Sequence, residues 1–320
     1  MRLSGTPSRW PRPPEATARF NLVAYCSSMA LCLGYAADEY FDLRKWKTVA
    51  VAVPGTSTAL SLRARVRPPP IGCCTWPGGS VMLHWAVDVA GLADDPSAVV
   101  LELGSGIGTA ALGLAAAARA RGGGGAVIAS DVCAASLDNL RANAASNGFD
   151  ATGSTSTALR VCRLDAAAGA AALESLPVAP SALTHVVGSD VVYHGFDRHD
   201  TGDAGDAGEG AVPRLEHTLA ALLRAQPSVR ITLLLEDRFS GGAVAALAGA
   251  AGVSHASTTR DPAILAFEEG CERLGLRVQR RAVPEAVVES VSRSQGWLQR
   301  AAWWVAGTWD GLTLFEVTND

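Results

Sequence analysis

The chain has 320 residues, of which 48% are hydrophobic and 18% charged, enough apolar sequence for one large domain with an extension. Its net charge of −4 gives no basic surface of the kind that binds nucleic acid, so we expect no nucleic-acid partner. Seven cysteines without a C-x-x-C pair are typical of reduced thiols in an intracellular protein and argue against a disulfide framework.

The residues before 47 show no core pattern. The segment through residue 20 is rich in Arg, Pro and Ser, which favours a disordered tail over the transit peptide that it mildly resembles. Residues 20–41 predict a helix on the outside of the core, and the apolar stretch at 22–37 is too short for a membrane span. The histidines lack metal-ligand spacing. We expect no membrane partner, no metal site and a cytoplasmic monomer, with nuclear or organellar locations left open.

Alternating apolar residues at 47–53 and 59–66 flank a Pro-Gly turn and predict a β-hairpin. Trp76 and Pro77 then precede a predicted helix for which Ser80 is a suitable N-cap. We expect residues 47–92, which hold the hairpin and this first helix, to pack on a core formed by residues 93–320.

The segment from Val99 to Gly108 has the pattern of a strand, a glycine-rich turn and a helix start. An apolar run predicts a buried strand, and three glycines follow at alternate positions before an Ala- and Leu-rich helix. Such a turn brings backbone N–H groups up to a ligand. The G-x-G-x-G spacing differs from the dinucleotide fingerprint, and Glu102 at the strand end would repel a pyrophosphate. The pattern therefore favours S-adenosylmethionine (SAM), which is cationic, over a dinucleotide or a turn without a ligand.

Beyond this turn strands alternate with helices, and four successive strands end in an acid. This alternation predicts a doubly wound parallel sheet, in which ligands bind at the carboxyl ends of the strands. The acids are therefore candidate ligand contacts. They are Asp131, Asp165, Asp190 and Glu236. Further predicted helices span residues 134–147, 211–226 and 262–274, and the last predicted strands span 276–282 and 312–317.

Three of these acids have both a functional and a structural interpretation. Asp131 could accept hydrogen bonds from ribose hydroxyls, or it could cap the helix that follows. Asp165 could contact an adenine amino group, or it could be a surface acid or a helix cap. Ser189 would face the cofactor through its backbone, with Asp190 and Tyr193 at the substrate entrance. The structural alternative for the last two is a capping acid and a core tyrosine.

Together these motifs resemble the seven-β-strand SAM-dependent methyltransferases, and more narrowly the family 16 protein-lysine methyltransferases. The narrower resemblance depends on a D-x-x-Y motif after the fourth strand and a Trp-Pro element before the first core helix. The motifs that carry the resemblance are Glu102–Gly108, Asp131, Asp190–Tyr193, Trp76-Pro77, Asn139-Leu140 with Asn143 and Asn147, and Glu236–Arg238.

The resemblance implies a Rossmann-like, seven-stranded, mostly parallel sheet with helices on both faces and an N-terminal β-hairpin extension. It also implies SAM as cofactor and a protein substrate whose lysine amine attacks the SAM methyl in line. The expected cofactor-binding residues are Trp76, Glu102, Gly104, Ser105, Gly106, Gly108, Asp131, Asp165 and Ser189. The expected catalytic residues are Asp190 and Tyr193.

Two features depart from the family pattern. Ala166 stands where the family has a tryptophan that packs on the adenine, which predicts open space beside that ring. A Gly- and Asp-rich insertion at about residues 194–211 follows the proposed substrate entrance. Separately, four tryptophans lie within 297–309, and we expect them to pack in the core or to form a partner surface. The alternatives are a methyltransferase for a small molecule or another side chain, an oxidoreductase, and a catalytically silent SAM-binding module.

Overall fold

Apolar alternation along two short segments produces an antiparallel hairpin of β1 (Trp46–Ala52) and β2 (Ala59–Arg65). Leu60, Leu62 and Ala64 of β2 are buried against the core, while the residues between them are exposed. The predicted hairpin is confirmed. The observed ends of both strands lie within one residue of their predicted positions.

The computed structural model describes residues 46–65, 71–123, 125–150, 159–192, 215–237, 261–294 and 311–319. These residues all belong to one compact unit, Trp46–Asp320. The predicted outer helix at 20–41, the insertion at 194–211, the tryptophan cluster and Tyr193 lie outside the described residues.

The core is a seven-stranded sheet with the order β5-β4-β3-β6-β7-β9-β8. Neighbouring strands are parallel except for β9, which runs antiparallel to both β7 and β8. The predicted fold class is therefore confirmed. The strands are β3 (Val99–Leu103), β4 (Ala126–Asp131), β5 (Leu159–Arg163), β6 (His185–Ser189), β7 (Arg230–Glu236), β8 (Leu276–Ala282) and β9 (Leu312–Asn319).

Helices cover both faces of this sheet. Val100 packs in the hydrophobic cluster with the hairpin and α1, α2, α3 and α6, whereas Leu101 and Leu103 pack in the opposite cluster with α4 and α5. Burial on both faces explains why β3 is apolar at every position except Glu102. The helices are α1 (Pro77–His84), α2 (Thr109–Arg121), α3 (Ala134–Ser146), α4 (Leu215–Ala225), α5 (Pro262–Arg273) and α6 (Glu285–Ser294).

Two side chains of α3 and that of its C-cap residue hold the hairpin to the core, and we call Asn139, Asn143 and Asn147 the asparagine ladder. Asn147 exchanges two hydrogen bonds with the backbone of Ser61, and Asn143 does the same with Arg63. Asn139 donates a further bond to the Arg63 carbonyl. The ladder thus gives β2 a hydrogen-bonding neighbour on the side away from β1.

Several predicted boundaries are wrong. Strand β6 begins at His185 and not at Leu183, and β9 extends to Asn319. Three further ends differ for physical reasons. Helix α1 begins at Pro77 and not after Ser80, because proline fits the first helical turn, where its missing N–H costs nothing. Strand β5 ends at Arg163, and Asp165 forms a turn. Strand β6 ends at Ser189, because Asp190 adopts a left-handed conformation with φ of 52°.

Candidate functional site

The candidate site lies where the order of the sheet reverses. The chain passes from β3 to β4 and β5 on one side, then crosses to β6 on the other side of β3. In doubly wound sheets, ligands bind in the crevice outside the carboxyl ends of the strands at this switch point. A pocket of about 350 Å³, counting the space at its open mouth, lies there in this protein.

The glycine loop, residues 104–108, forms one wall of the pocket. Gly104, Gly106 and Gly108 all have positive φ, which residues with a Cβ rarely adopt. A Cβ on Gly106 would lie 2.9 Å from the Gly72 carbonyl oxygen, so the loop touches the backbone of the segment after the hairpin. A Cβ on Gly108 would lie 2.5 Å from Leu140 Cδ1, which makes Gly108 the contact between α2 and α3.

Glu102 places a buried carboxyl at the pocket. The residue is 3% exposed, and its Oε2 accepts a hydrogen bond of 3.0 Å from the Ala111 N–H in the first turn of α2. Helix α2 has no capping side chain at Gly108, so Glu102 supplies the cap from the preceding strand. Desolvation by burial raises the pKa of Glu102 to about 7. The hydrogen bonds from Ser105 and Ala111 lower this pKa, but the effect of burial is larger. Nearby Asp131 adds to the rise.

Asp131 ends β4 beside the glycine loop and is 8% exposed. Its Oδ2 accepts from the Gly106 N–H at 3.0 Å, and its Oδ1 accepts from the Cys133 N–H at 2.9 Å. Cys133 is the N-cap residue of α3, and no side chain caps that helix. Asp131 therefore holds the loop in place; its contact with ribose hydroxyls stays a prediction.

Two serines join the ends of β3 and β4. Ser105 donates its N–H to the Ser130 carbonyl, and Ser130 donates its N–H to Ser105 Oγ at 3.0 Å. The Ser130 hydroxyl donates to the Glu102 carbonyl at 2.7 Å. These bonds fix the start of the glycine loop. The Ser105 hydroxyl is therefore already hydrogen-bonded to another part of the protein.

Trp76 forms another part of the pocket wall. Its Nε1 donates to the Ile71 carbonyl at 3.1 Å, which holds the ring against the turn at Ile71–Cys73. The side chain is nevertheless 42% exposed, although most large apolar side chains of the described core are buried. An exposed aromatic ring fixed at a pocket can pack on a flat or cationic ligand.

Asp190 follows β6 and lies against the first turn of α1. A Cβ on Gly78 would lie 2.8 Å from Asp190 Oδ2, so Gly78 leaves room for the carboxylate. Among the described residues, Asp190 is the one non-glycine with positive φ. Its N–H donates to the Leu234 carbonyl at 2.9 Å, which holds this conformation. Strained backbone of this kind is concentrated at functional sites.

Six of the predicted cofactor-binding residues line the pocket. Their contacts with a cofactor remain predictions. The six residues are Trp76, Glu102, Gly104, Ser105, Gly106 and Ser189. The other predicted cofactor residues, Gly108, Asp131 and Asp165, do not line it. Asp165 is exposed and accepts a hydrogen bond from the Ala167 N–H. Ala166 packs against the hydrophobic cluster that contains Leu101 and Leu103.

Sequence reasoning missed the remaining lining residues. Thr109 and Ala110 begin α2, and the rule that ligands meet helix N-termini could have found them. Gly79 belongs to the glycine pair that follows Trp76 and Pro77. A Cβ on Gly79 would lie 3.2 Å from Thr109 Cβ, so the two residues are in close contact. Cys74 lines the pocket, where a β-bridge to Arg65 holds it. This tertiary contact leaves no recognisable local pattern in the sequence.

The described ranges hold neither a candidate metal site nor a membrane-spanning helix. No group of three or more His, Cys, Asp or Glu residues there could hold a metal ion. None of the helices described is both long and apolar enough to cross a bilayer.

No protein-family model and no curated protein matches the chain. Among solved structures, it is similar to a TehB-like SAM-dependent methyltransferase from Corynebacterium glutamicum, with 15% identity, a TM-score of 0.39, and coverage of 77% of this chain and 90% of that chain. It is also similar to a SAM-dependent methyltransferase from Aquifex aeolicus, with 10% identity, a TM-score of 0.41, and coverage of 76% and 93%. Similarity at this level assigns the chain to no family, so the function is proposed from the site.

Proposed function

We propose that the protein is a SAM-dependent methyltransferase and that its acceptor is a lysine amine of a protein substrate. The observation that carries the proposal is the pocket at the switch point of the sheet, walled by left-handed glycines, an exposed tryptophan and a buried carboxyl. That combination suits a ligand with both a nucleoside part and a positive charge.

The residues of the pocket fit SAM. Gly104 and Gly106 let a ligand approach the backbone closely, and Trp76 offers a ring face to an apolar or cationic group. The carboxyl of Glu102 gives the pocket a negative charge when ionised, which favours a cation and opposes a pyrophosphate. When bound, SAM supplies a methyl group that is activated by a positively charged sulfur.

Asp190 is proposed to hold the incoming lysine. It follows Ser189, which lines the pocket, and it is half-buried in a strained conformation. A lysine with a pKa near 10.4 loses its proton at a cost of about 4 kcal/mol near pH 7.4. A carboxylate beside the ammonium attracts and orients it. Tyr193 completes the D-x-x-Y motif, and its proposed contact with the ammonium rests on the resemblance.

Calorimetric titration tests the cofactor half of the proposal. SAM should bind to the purified protein, and NAD should not. Binding of NAD alone would replace the methyltransferase with an oxidoreductase, and binding of neither ligand would contradict the cofactor assignment.

Transfer of label from SAM to extract proteins tests the acceptor half. Labelling should disappear when the lysines of the extract are acetylated beforehand, because acetylation removes the amine nucleophile. Labelling that survives acetylation would assign another side chain, and labelling of small molecules alone would assign a small-molecule acceptor. SAM binding without any transfer would leave a silent SAM-binding module.

Asp190→Asn tests the role of the carboxylate. The change keeps the shape of the side chain and removes its charge, so methyl transfer should fall by about tenfold or more. SAM affinity should stay near that of the native protein, and the lost interaction with the first turn of α1 should cost about 1 kcal/mol or less. The matched control is Asp138→Asn, the same change at a solvent-exposed acid of α3. Full transfer activity in Asp190→Asn would contradict the assignment.

A further inference from the structure

The asparagine ladder acts on β2 as a neighbouring strand would. Each side-chain amide presents one carbonyl and one NH₂ group, the same pair that a peptide unit presents. Asn147 meets both backbone groups of Ser61, and Asn143 meets both groups of Arg63. Four residues of a helix rise about 6 Å and two residues of a strand about 6.8 Å, so the two repeats match closely.

Asn143 differs from the other two because it also touches the glycine loop. Its Nδ2 donates to the Ile107 carbonyl at 2.9 Å, and Ile107 lines the pocket. The same amide accepts from the Arg63 N–H at 2.7 Å and donates to the Arg63 carbonyl at 3.2 Å. Asn143 is 1% exposed, so water cannot replace these bonds without opening the structure.

The hairpin end that Asn143 holds is bridged to a second part of the pocket wall, Cys74 and Trp76, which we call the Cys74–Trp76 wall. Arg65 forms a β-bridge with Cys74, which lines the pocket, and Trp76 follows two residues later. The backbone of Gly72 touches Gly106 of the glycine loop. The buried Asn143 amide therefore connects the glycine loop with β2, the strand whose Arg65 is bridged to the Cys74–Trp76 wall.

We propose that Asn143 is a positioning residue that sets the separation of the two pocket walls, so that ligand binding and hairpin docking stabilise each other. The ligand arm of this proposal rests on the proposed SAM binding. The structural arm, in which the loop and the hairpin loosen together, does not depend on any ligand.

Amide hydrogen exchange in the native protein tests the coupling. Addition of SAM should slow exchange at the Arg63 amide by about fivefold or more, although Arg63 does not line the pocket. Any ligand of the native state slows exchange that occurs by global unfolding, so the Ser61 amide, which Asn147 holds, serves as the reference, and exchange at Arg63 should slow more than exchange at Ser61. Unchanged Arg63 exchange in protein saturated with SAM would overturn the proposal.

Two matched variants test the residue itself. Asn143→Ala should weaken SAM binding by about tenfold or more, since the Ile107 and Arg63 groups lose their partner. Asn147→Ala removes the two bonds to Ser61 and the bond from Asn147 Nδ2 to the Asn143 backbone carbonyl, but no bond to the glycine loop, and it should bind SAM within about twofold of the native protein. Equal loss of affinity in both variants would show general destabilisation and contradict the proposal.

The ligand-free proteins separate failure of this proposal from failure of the proposed function. In Asn143→Ala, exchange should rise together at the amides of Arg63 and Gly106; in Asn147→Ala, it should rise at Ser61 alone. If the native protein binds no SAM but this pattern holds, the cofactor assignment fails and the coupling stands. If Arg63 loosens while Gly106 keeps its native exchange rate, the coupling fails. Asn143→Ser replaces Asn143→Ala should the latter not fold.

Discussion

Replacement of Glu102 by glutamine should remove a pH dependence from the stability of the protein. Burial raises the pKa of Glu102 from 4.5 to about 7, so the folded protein holds this proton more tightly than the unfolded chain does. The stabilising contribution of the protonated carboxyl is fully present below pH 4.5 and is lost as the pH rises through 7. Glutamine keeps an oxygen for the Ala111 N–H but does not titrate.

The size of the effect follows from the two pKa values. A shift of one pKa unit corresponds to about 1.4 kcal/mol, and integration between pH 5 and pH 8 gives about 2–3 kcal/mol of stability lost by the native protein. Glu102→Gln should show none of this component. The difference in unfolding free energy between the two proteins should therefore change by about 2–3 kcal/mol across that range.

Urea unfolding at pH 5, 6, 7 and 8 measures this difference. The control is Glu174→Gln, which makes the same chemical change at an exposed site and should track the native protein at every pH. A difference between the native protein and Glu102→Gln that stays constant with pH would show that Glu102 is ionised throughout the range. The reasoning from burial would then be wrong.

Two further changes test the glycine loop. Gly106→Ala should cost more stability than Gly122→Ala: both place a Cβ at positive φ, for about 1–2 kcal/mol, but only the first meets backbone, at the Gly72 carbonyl. Equal losses in thermal unfolding would show that the Gly72 contact has no energetic weight. Asp131→Asn should weaken SAM binding by about 1–3 kcal/mol, because the Gly106 N–H and the proposed ribose contacts lose a charged acceptor. Unchanged calorimetric affinity in the folded variant would remove Asp131 from the site.

Much of the fold follows from patterns that are local in the sequence. Strand β8 has the predicted bounds, Leu276–Ala282, and the hairpin lies within a residue of its prediction. Both depend on alternation and turn residues, which neighbouring positions define. Helix α6 was not predicted, because its buried face consists of Val287 and Val291, β-branched residues with weak helix propensity. Packing against the core stabilises it.

The site shows where local patterns stop being informative. The glycine spacing and the strand-end acids indicate the correct edge of the sheet, since both are properties of a single strand and its turn. What each acid does there depends on neighbours at increasing distance along the chain. Glu102 caps the helix that begins a few residues later, Asp131 binds the glycine loop that precedes its strand, and Asp190 lies against Gly78 of α1, more than a hundred residues away.

The asparagine ladder also affects how the hairpin meets other chains. A strand with free backbone groups along its edge can recruit a further strand, either from a partner or from another copy of the same protein. Along β2, the groups of Ser61 and Arg63 are already bound to side chains of α3. A third strand in that position would satisfy them too, but it would bring an edge of its own. The helix closes this edge of the hairpin without creating another site for strand addition.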